Sequence, residues 1–383
     1  MLALKLLLQQ HNISQALLAR ELNLAPATIA QWLNKEIYPK TPTTDDLKAA
    51  VIRFLRKQTI AFDDTIFNTV APETATPLTE EDMNMLLRKQ TLSPQAKAHF
   101  KFFQDPFEND VQAAEDVYSS PDIRFVREYL WQTAKQGGFI AVIGESGAGK
   151  STLRKDLIDR VYREDAPIII IEPVVLGMED NDVKGKTLKA ASIADAIIRT
   201  LSPLDKPKLS MEAKGRQLQQ ILKNSRRAGF NHCLVIEEAH ALSVPTLKHL
   251  KRFFELEDGF KKLLSIVLIG QTELKTKLSE RAPEVREVVQ RCELIELSPL
   301  DSHLEDYLRF KFERVGSSLD AVFDKNALDA IRERLIFSKS SKNSREVVSL
   351  MYPLMINNLI TGAMNEAARL GFPSVSFDLI KEA

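Results

Sequence analysis

Two cysteines, Cys233 and Cys292, are all that 383 residues carry. That scarcity excludes a disulfide framework and a zinc ribbon. Net charge is missing too: 52 Lys and Arg balance 52 Asp and Glu, so no overall polycation advertises nucleic acid. No apolar run approaches the ~20 residues that span a bilayer. The opening MLALKLLLQQHN is interrupted by Lys5, turns polar, and lacks the small-residue cleavage site of a signal peptide. A soluble protein of a reducing cytoplasm, with no membrane partner, is expected. Wholesale disorder is excluded as well, because 44% apolar and 27% charged residues are values of a folded chain. The length calls for two or three domains.

The zero total hides an uneven distribution. Residues 1–60 carry a net charge of +4 and residues 61–120 a net charge of −7, and such asymmetry is a better partner signal than the sum. Residues 59–79, TIAFDDTIFNTVAPETATPLT, lack helical period and suit a tether. A short helix capped by Thr79 is expected next. From about residue 100, the runs GGFIAVIG, APIIIIEP, HCLVIEE, LLSIVLIG and CELIEL alternate with helical patterns. Their continuous hydrophobicity indicates strands buried on both faces, hence a parallel α/β sheet. After Pro299 the pattern is helical, which predicts an all-α lid. The expected division is 1–60, 61–99, 100–300 and 301–383.

Ser14–Asn34, SQALLARELNLAPATIAQWLN, predicts a helix-turn-helix. Ser14 can cap a helix with Leu17, Leu18 and Leu22 on one face, Asn23 tolerates a left-handed turn, and Pro26 suits the opening of the second helix. Ile29, Trp32 and Leu33 form the buried stripe of that second helix, the one that enters the major groove in such motifs. Thr28, Gln31, Asn34 and Lys35 are its outward polar positions: Gln and Asn pair with adenine edges, and Lys35 suits phosphate. A helical hairpin used only for protein contact is the other interpretation.

The segment Gly144-Glu145-Ser146-Gly147-Ala148-Gly149-Lys150-Ser151 satisfies G-x-x-x-x-G-K-[ST] between the strand FIAVI and the helical stretch STLRKDLIDRVY. The glycines let backbone N–H groups face phosphate oxygens, and Lys150 supplies a point charge to the β- and γ-phosphates. Ser151 offers a hydroxyl to Mg²⁺, and the helix N-terminus, with Thr152 in its first turn, adds a positive end. ATP with Mg²⁺ is the expected ligand. The second half of such a site is an acidic pair closing a buried strand. Glu237 and Glu238 follow CLVI directly: Glu237 would hold magnesium through water and Glu238 would polarise the attacking water. Aspartate is usual at the first position. Gln271, at the end of LLSIVLIG, either touches the γ-phosphate and attacking water or caps the next helix.

These stretches, with FKFFQDPFEND, QRCELIELSPL and NSREV, resemble over roughly 100–350 the AAA+ branch of ExeA-type ATPases and the transposition regulators TnsC and phage Mu protein B. The fused helix-turn-helix resembles the Mu protein B type in particular. The resemblance implies an α/β P-loop core with a helical lid and Gln271 as a sensor. It also implies an arginine finger from among Arg281, Arg286 and Arg291 (Arg291 first), and a lid sensor at Arg345, in the first turn of a helix after Asn343-Ser344. It implies ATP-driven homo-oligomerisation into a filament or ring on double-stranded DNA, with little sequence preference, and delivery of that DNA to a transposase. Lys184, Lys186 and Lys189 could line such a filament, or form a solvated loop. An ATP-switched transcription regulator and an ExeA-like assembly ATPase are the alternatives.

Overall fold

Alternate residues of the apolar runs go to opposite sides of one sheet. In the computed structural model, described for residues 22, 24, 44–57, 87–108, 111–173, 188–279, 285–341 and 344–382, the chain forms two compact units. One comprises residues 1–78 with 337–345, the other residues 79–336 with 346–383. In the first unit, the helix Thr44–Lys57 buries Leu47, Val51, Phe54 and Leu55 at helical spacing. The helix-turn-helix stretch, apart from residues 22 and 24, and the helix start expected at Thr79 lie outside the described residues.

The second unit is built on strands β1 (Phe139–Ile143), β2 (Ile168–Ile171), β3 (Asn231–Ile236), β4 (Glu257–Asp258), β5 (Lys261–Lys262), β6 (Ser265–Gly270) and β7 (Glu293–Glu296). Five of them form a parallel sheet in the order β2-β3-β6-β1-β7, and β4-β5 is a small separate hairpin. Phe139, Ala141, Ile143, Leu234, Ile236, Ile266 and Leu268 face one core. Ile140, Val142, Cys233, Val235, Val267 and Ile269 face the other. This period of two explains why β1 and the stretch Ile266–Ile269 of β6 read as unbroken apolar runs, since both of their faces are buried. The helices Ala190–Leu201, Met211–Arg227 and Val244–Phe254 cover the first face, and Pro121–Gln136 and Lys150–Arg163 the second. Serine starts several helices: the Ser93, Ser120, Ser210 and Ser243 hydroxyls each accept a backbone N–H in the first turn.

Three expectations need amendment. CELIEL does not give a strand buried on both faces: β7 is an edge strand, with Glu293, Leu294 and Glu296 exposed. At this edge the apolar run is interrupted by charge, whereas the opposite edge strand, β2, is four isoleucines. The stretch after Pro299 is mainly helical, but β8 (Ile336–Ser341) and β9 (Ser344–Ser349) pair as a two-stranded sheet within it. Arg345 therefore lies in a strand rather than the first turn of a helix; the next helix is Pro353–Leu370. The β-branched pair Val347-Val348 favours extended backbone, which outweighed the capping pattern at Asn343-Ser344.

Candidate nucleotide site

The loop between β1 and the helix Lys150–Arg163 turns on two glycines with left-handed backbone, Gly147 (φ +76°) and Gly149 (φ +93°), a region that costs other residues about 1–2 kcal/mol. Gly144 is constrained by space instead. A Cβ there would lie 3.1 Å from Leu297 Cβ and 3.2 Å from Ala148 Cβ. The loop closes on itself through Lys150, whose Nζ donates to the Gly144 carbonyl (2.8 Å) and the Glu145 carbonyl (2.7 Å). Burial holds this ammonium below the usual lysine range, while Glu238, Glu145 and Glu273 oppose that shift. Behind the loop, Arg127 grips Asp156 with two hydrogen bonds of 2.7 and 2.6 Å, tying the helix Pro121–Gln136 to the helix that carries Lys150.

Topology then assembles the rest. Because β6 lies between β1 and β3, its carboxyl end sits between the phosphate loop and the acidic pair that follows β3. A cavity of about 460 Å³ opens there, lined by residues 146–153 together with Glu238 and Gln271. Gln271 is the N-cap residue of the helix Thr272–Lys277 by position, yet its side chain makes no capping hydrogen bond. Glu238 adopts left-handed backbone (φ +49°), an unusual state for a non-glycine residue and one found disproportionately at functional sites. Its carboxylate is 3.5 Å from His240 Nε2. Glu237 turns elsewhere and pairs with Arg154 Nε at 3.2 Å. Ser151 is exposed at the head of its helix, and Thr272 Oγ1 donates to Glu145 Oε1 at 3.2 Å.

The far end of the cavity is walled by residues that the motif search missed: Val117, Tyr118, Ile123, Tyr307, Lys311 and Asn357. Tyr118 packs edge-on against Tyr307, and the Tyr307 hydroxyl donates to Asn357 Oδ1 at 2.8 Å. The buried cation that the lid contributes to this wall is Lys311. The side chain of Arg345 lies outside the described residues, as do Arg281, Thr28, Gln31, Asn34, Lys35, Lys184 and Lys186. Lys189 is exposed at the N-cap of the helix Ala190–Leu201. Arg286 is exposed. Arg291 is engaged within its own chain, with Nη2 at 3.0 Å from Glu255 and Nη1 donating to the Glu287 carbonyl at 3.0 Å. Among the described residues, no three His, Cys, Asp or Glu side chains gather as a metal cluster. The donors present, one hydroxyl and two carboxylates, suit Mg²⁺, which is bound by few protein oxygens together with phosphates and water.

A parallel sheet with a glycine-rich phosphate loop after one strand and paired carboxylates after another is an α/β P-loop fold with the parts of a site that binds and hydrolyses ATP. Residues 133–278 match the family described as AAA domain, and residues 4–50 match that described as Helix-turn-helix. General secretion pathway protein A of Aeromonas hydrophila is 29% identical over 199 residues, 51% of this chain and 33% of that protein. The chain thus matches about a third of that relative's length. Among solved structures, Cdc6p of Pyrobaculum aerophilum superposes with a TM-score of 0.47 at 15% identity, covering 72% of this chain and 68% of that one. The RuvB Holliday junction branch migration motor of Thermotoga maritima gives 0.39 at 13%, covering 71% of each. No described helix is long and apolar enough to cross a membrane.

Proposed function

We propose that the protein is an ATP-dependent, largely non-specific DNA-binding ATPase that oligomerises on double-stranded DNA and delivers it to a transposase, in the manner of Mu protein B. The observation that carries this proposal is the union in one chain of a helix-turn-helix match and an AAA domain whose cavity brings Glu238 and Gln271 to the phosphate loop. Gly144–Thr152 hold the phosphates through backbone N–H groups and the Lys150 ammonium, which exchanges its two loop carbonyls for phosphate oxygens. Ser151 and, through water, Glu237 would hold Mg²⁺, which would supply charge neutralisation at the phosphates; Glu237 would have to leave Arg154 to do so. Glu238 accepts a proton from the attacking water, and Gln271 orients that water. Arg291 exchanges Glu255 for a neighbouring subunit's nucleotide, and Arg345 reaches from the lid to the phosphates. Thr28, Gln31, Asn34, Lys35, Lys184, Lys186 and Lys189 contact DNA, chiefly its phosphates.

The test is the lifetime of the protein on DNA. Glu238→Gln keeps shape and hydrogen bonding but removes the base, so ATP binds and persists. Subunits joined through bound ATP then hold DNA through many weak phosphate contacts at once. On long random-sequence DNA, this variant should dissociate much more slowly than the wild type after competitor is added, with continuous footprint coverage. Equally fast release from a hydrolysis-dead variant, or a single discrete palindromic footprint, refutes the filament and points to an operator-binding regulator.

A further inference from the structure

The acidic pair and the strand-end glutamine are bridged by a side chain that neither motif includes. His240 lies in the single turn Ala239–Ala241 that Glu238 opens. Its Nδ1 receives the backbone N–H of Gln271 at 3.4 Å, and its Nε2 stands 3.5 Å from Glu238 Oε2. A backbone N–H can only donate, so Nδ1 is the acceptor and the proton of the neutral ring sits on Nε2, directed at the carboxylate. The ring is held by its own backbone. The His240 carbonyl accepts the Lys277 ammonium at 2.5 Å, and its amide nitrogen lies 3.1 Å from where a Cβ on Gly270 would stand. A side chain at 270 would press on both this turn and Leu274 Cδ2, which would stand 2.9 Å from its Cβ. The left-handed backbone of Glu238 places that carboxylate beside the imidazole two residues on. At 3.5 Å the approach is longer than a full hydrogen bond, as contacts to catalytic groups commonly are before substrate binds.

We propose that His240 is a positioning residue for ATP hydrolysis: it registers the end of β6, and with it Gln271, against Glu238, and steers the Glu238 carboxylate toward the attacking water. This rests on the assignment of Glu238 as the base. His240 itself is not among the residues that line the cavity.

Two amides separate its two contacts. Glutamine extends as far as Nε2 and can donate to Glu238, whereas asparagine reaches only as far as Nδ1 and can accept from Gln271. Full-length wild type, His240→Ala, His240→Gln, His240→Asn and Glu238→Gln are compared for turnover at saturating ATP and Mg²⁺, for ATP affinity by calorimetry, and for thermal midpoint. In His240→Ala, turnover should fall about 10- to 100-fold, the scale of a slightly misplaced catalytic group, with ATP affinity and thermal midpoint unchanged. His240→Gln should recover most of the turnover and His240→Asn little of it. Wild-type turnover in His240→Ala overturns the proposal, and so does rescue by asparagine as complete as by glutamine. A fall in turnover matched by a fall in ATP affinity or thermal midpoint likewise overturns it, because the residue is then merely structural. An active Glu238→Gln, or a wild type that turns over no ATP, instead overturns the assignment of the base.

Discussion

A methyl group at position 147 should disable this nucleotide site in two separable ways. Gly147 has φ +76°, and a Cβ built on it would lie 2.1 Å from Leu354 Cβ, in the first turn of the helix Pro353–Leu370. The Leu354 N–H also donates to the Gly147 carbonyl at 3.3 Å. Gly147→Ala therefore incurs about 1–2 kcal/mol for left-handed alanine. It also drives the lid helix back by more than about 1 Å, because carbon atoms pack no closer than ~3.5 Å. One strained residue plus a displaced wall should weaken ATP binding at least tenfold, the equivalent of about 1.4 kcal/mol, and lower the apo thermal midpoint. The steric part belongs to one residue pair and is greatest at the Leu354 Cβ, so a double-mutant cycle isolates it. Leu354→Ala retains its Cβ and should not rescue Gly147→Ala. Leu354→Gly removes the clash and should restore part of the affinity, leaving the backbone strain and about 1 kcal/mol for glycine in a helix. Calorimetric titration of the wild type, the three single variants and the two double variants provides both cycles. Wild-type affinity in Gly147→Ala, or equal rescue by Leu354→Ala and Leu354→Gly, refutes the close approach of lid and loop.

Three further outcomes are expected. Lys150→Ala should abolish tight ATP binding while leaving the fold intact; because burial lowers the Lys150 pKa, wild-type affinity should also decline with rising pH before ordinary lysines discharge, and calorimetry across pH checks both. Asp156→Ala leaves Arg127 without its partner; since Arg127 is one-fifth exposed, the loss should be about 2 kcal/mol, less than the about 3–5 of a fully buried pair, and an unchanged denaturation midpoint would refute it. Burial pushes the Cys233 and Cys292 thiols up to about 12. Their folded values lie above the unfolded 9.0, so this stabilisation is complete below pH 9.0 and disappears as pH rises toward 12. Neither thiol should react with a thiol reagent near pH 8 until denaturant is added, and rapid labelling of the folded protein would contradict their burial.

Much of this protein is legible along the chain because its information is local. The phosphate loop needs left-handed turns at Gly147 and Gly149 and a charge at Lys150, all within eight residues. The central strands announce themselves because burial on both faces leaves β1 wholly apolar and β6 with Ser265 alone as a polar side chain, its hydroxyl satisfied by the His232 carbonyl. Strand order was not legible, and it decides the site: only with β6 between β1 and β3 does Gln271 stand between the loop and Glu238. The cavity's far wall combines Val117, Tyr118 and Ile123 with Tyr307, Lys311 and Asn357, pairs of residues nearly two hundred positions apart that share no spacing. Arg345 shows the reverse error, a local capping pattern overridden by strand pairing. His240 belongs to no motif along the chain. It becomes a bridge because parallel pairing of β3 with β6 brings two strand ends together, and a hydrogen bond between them depends on distance through space rather than along the chain.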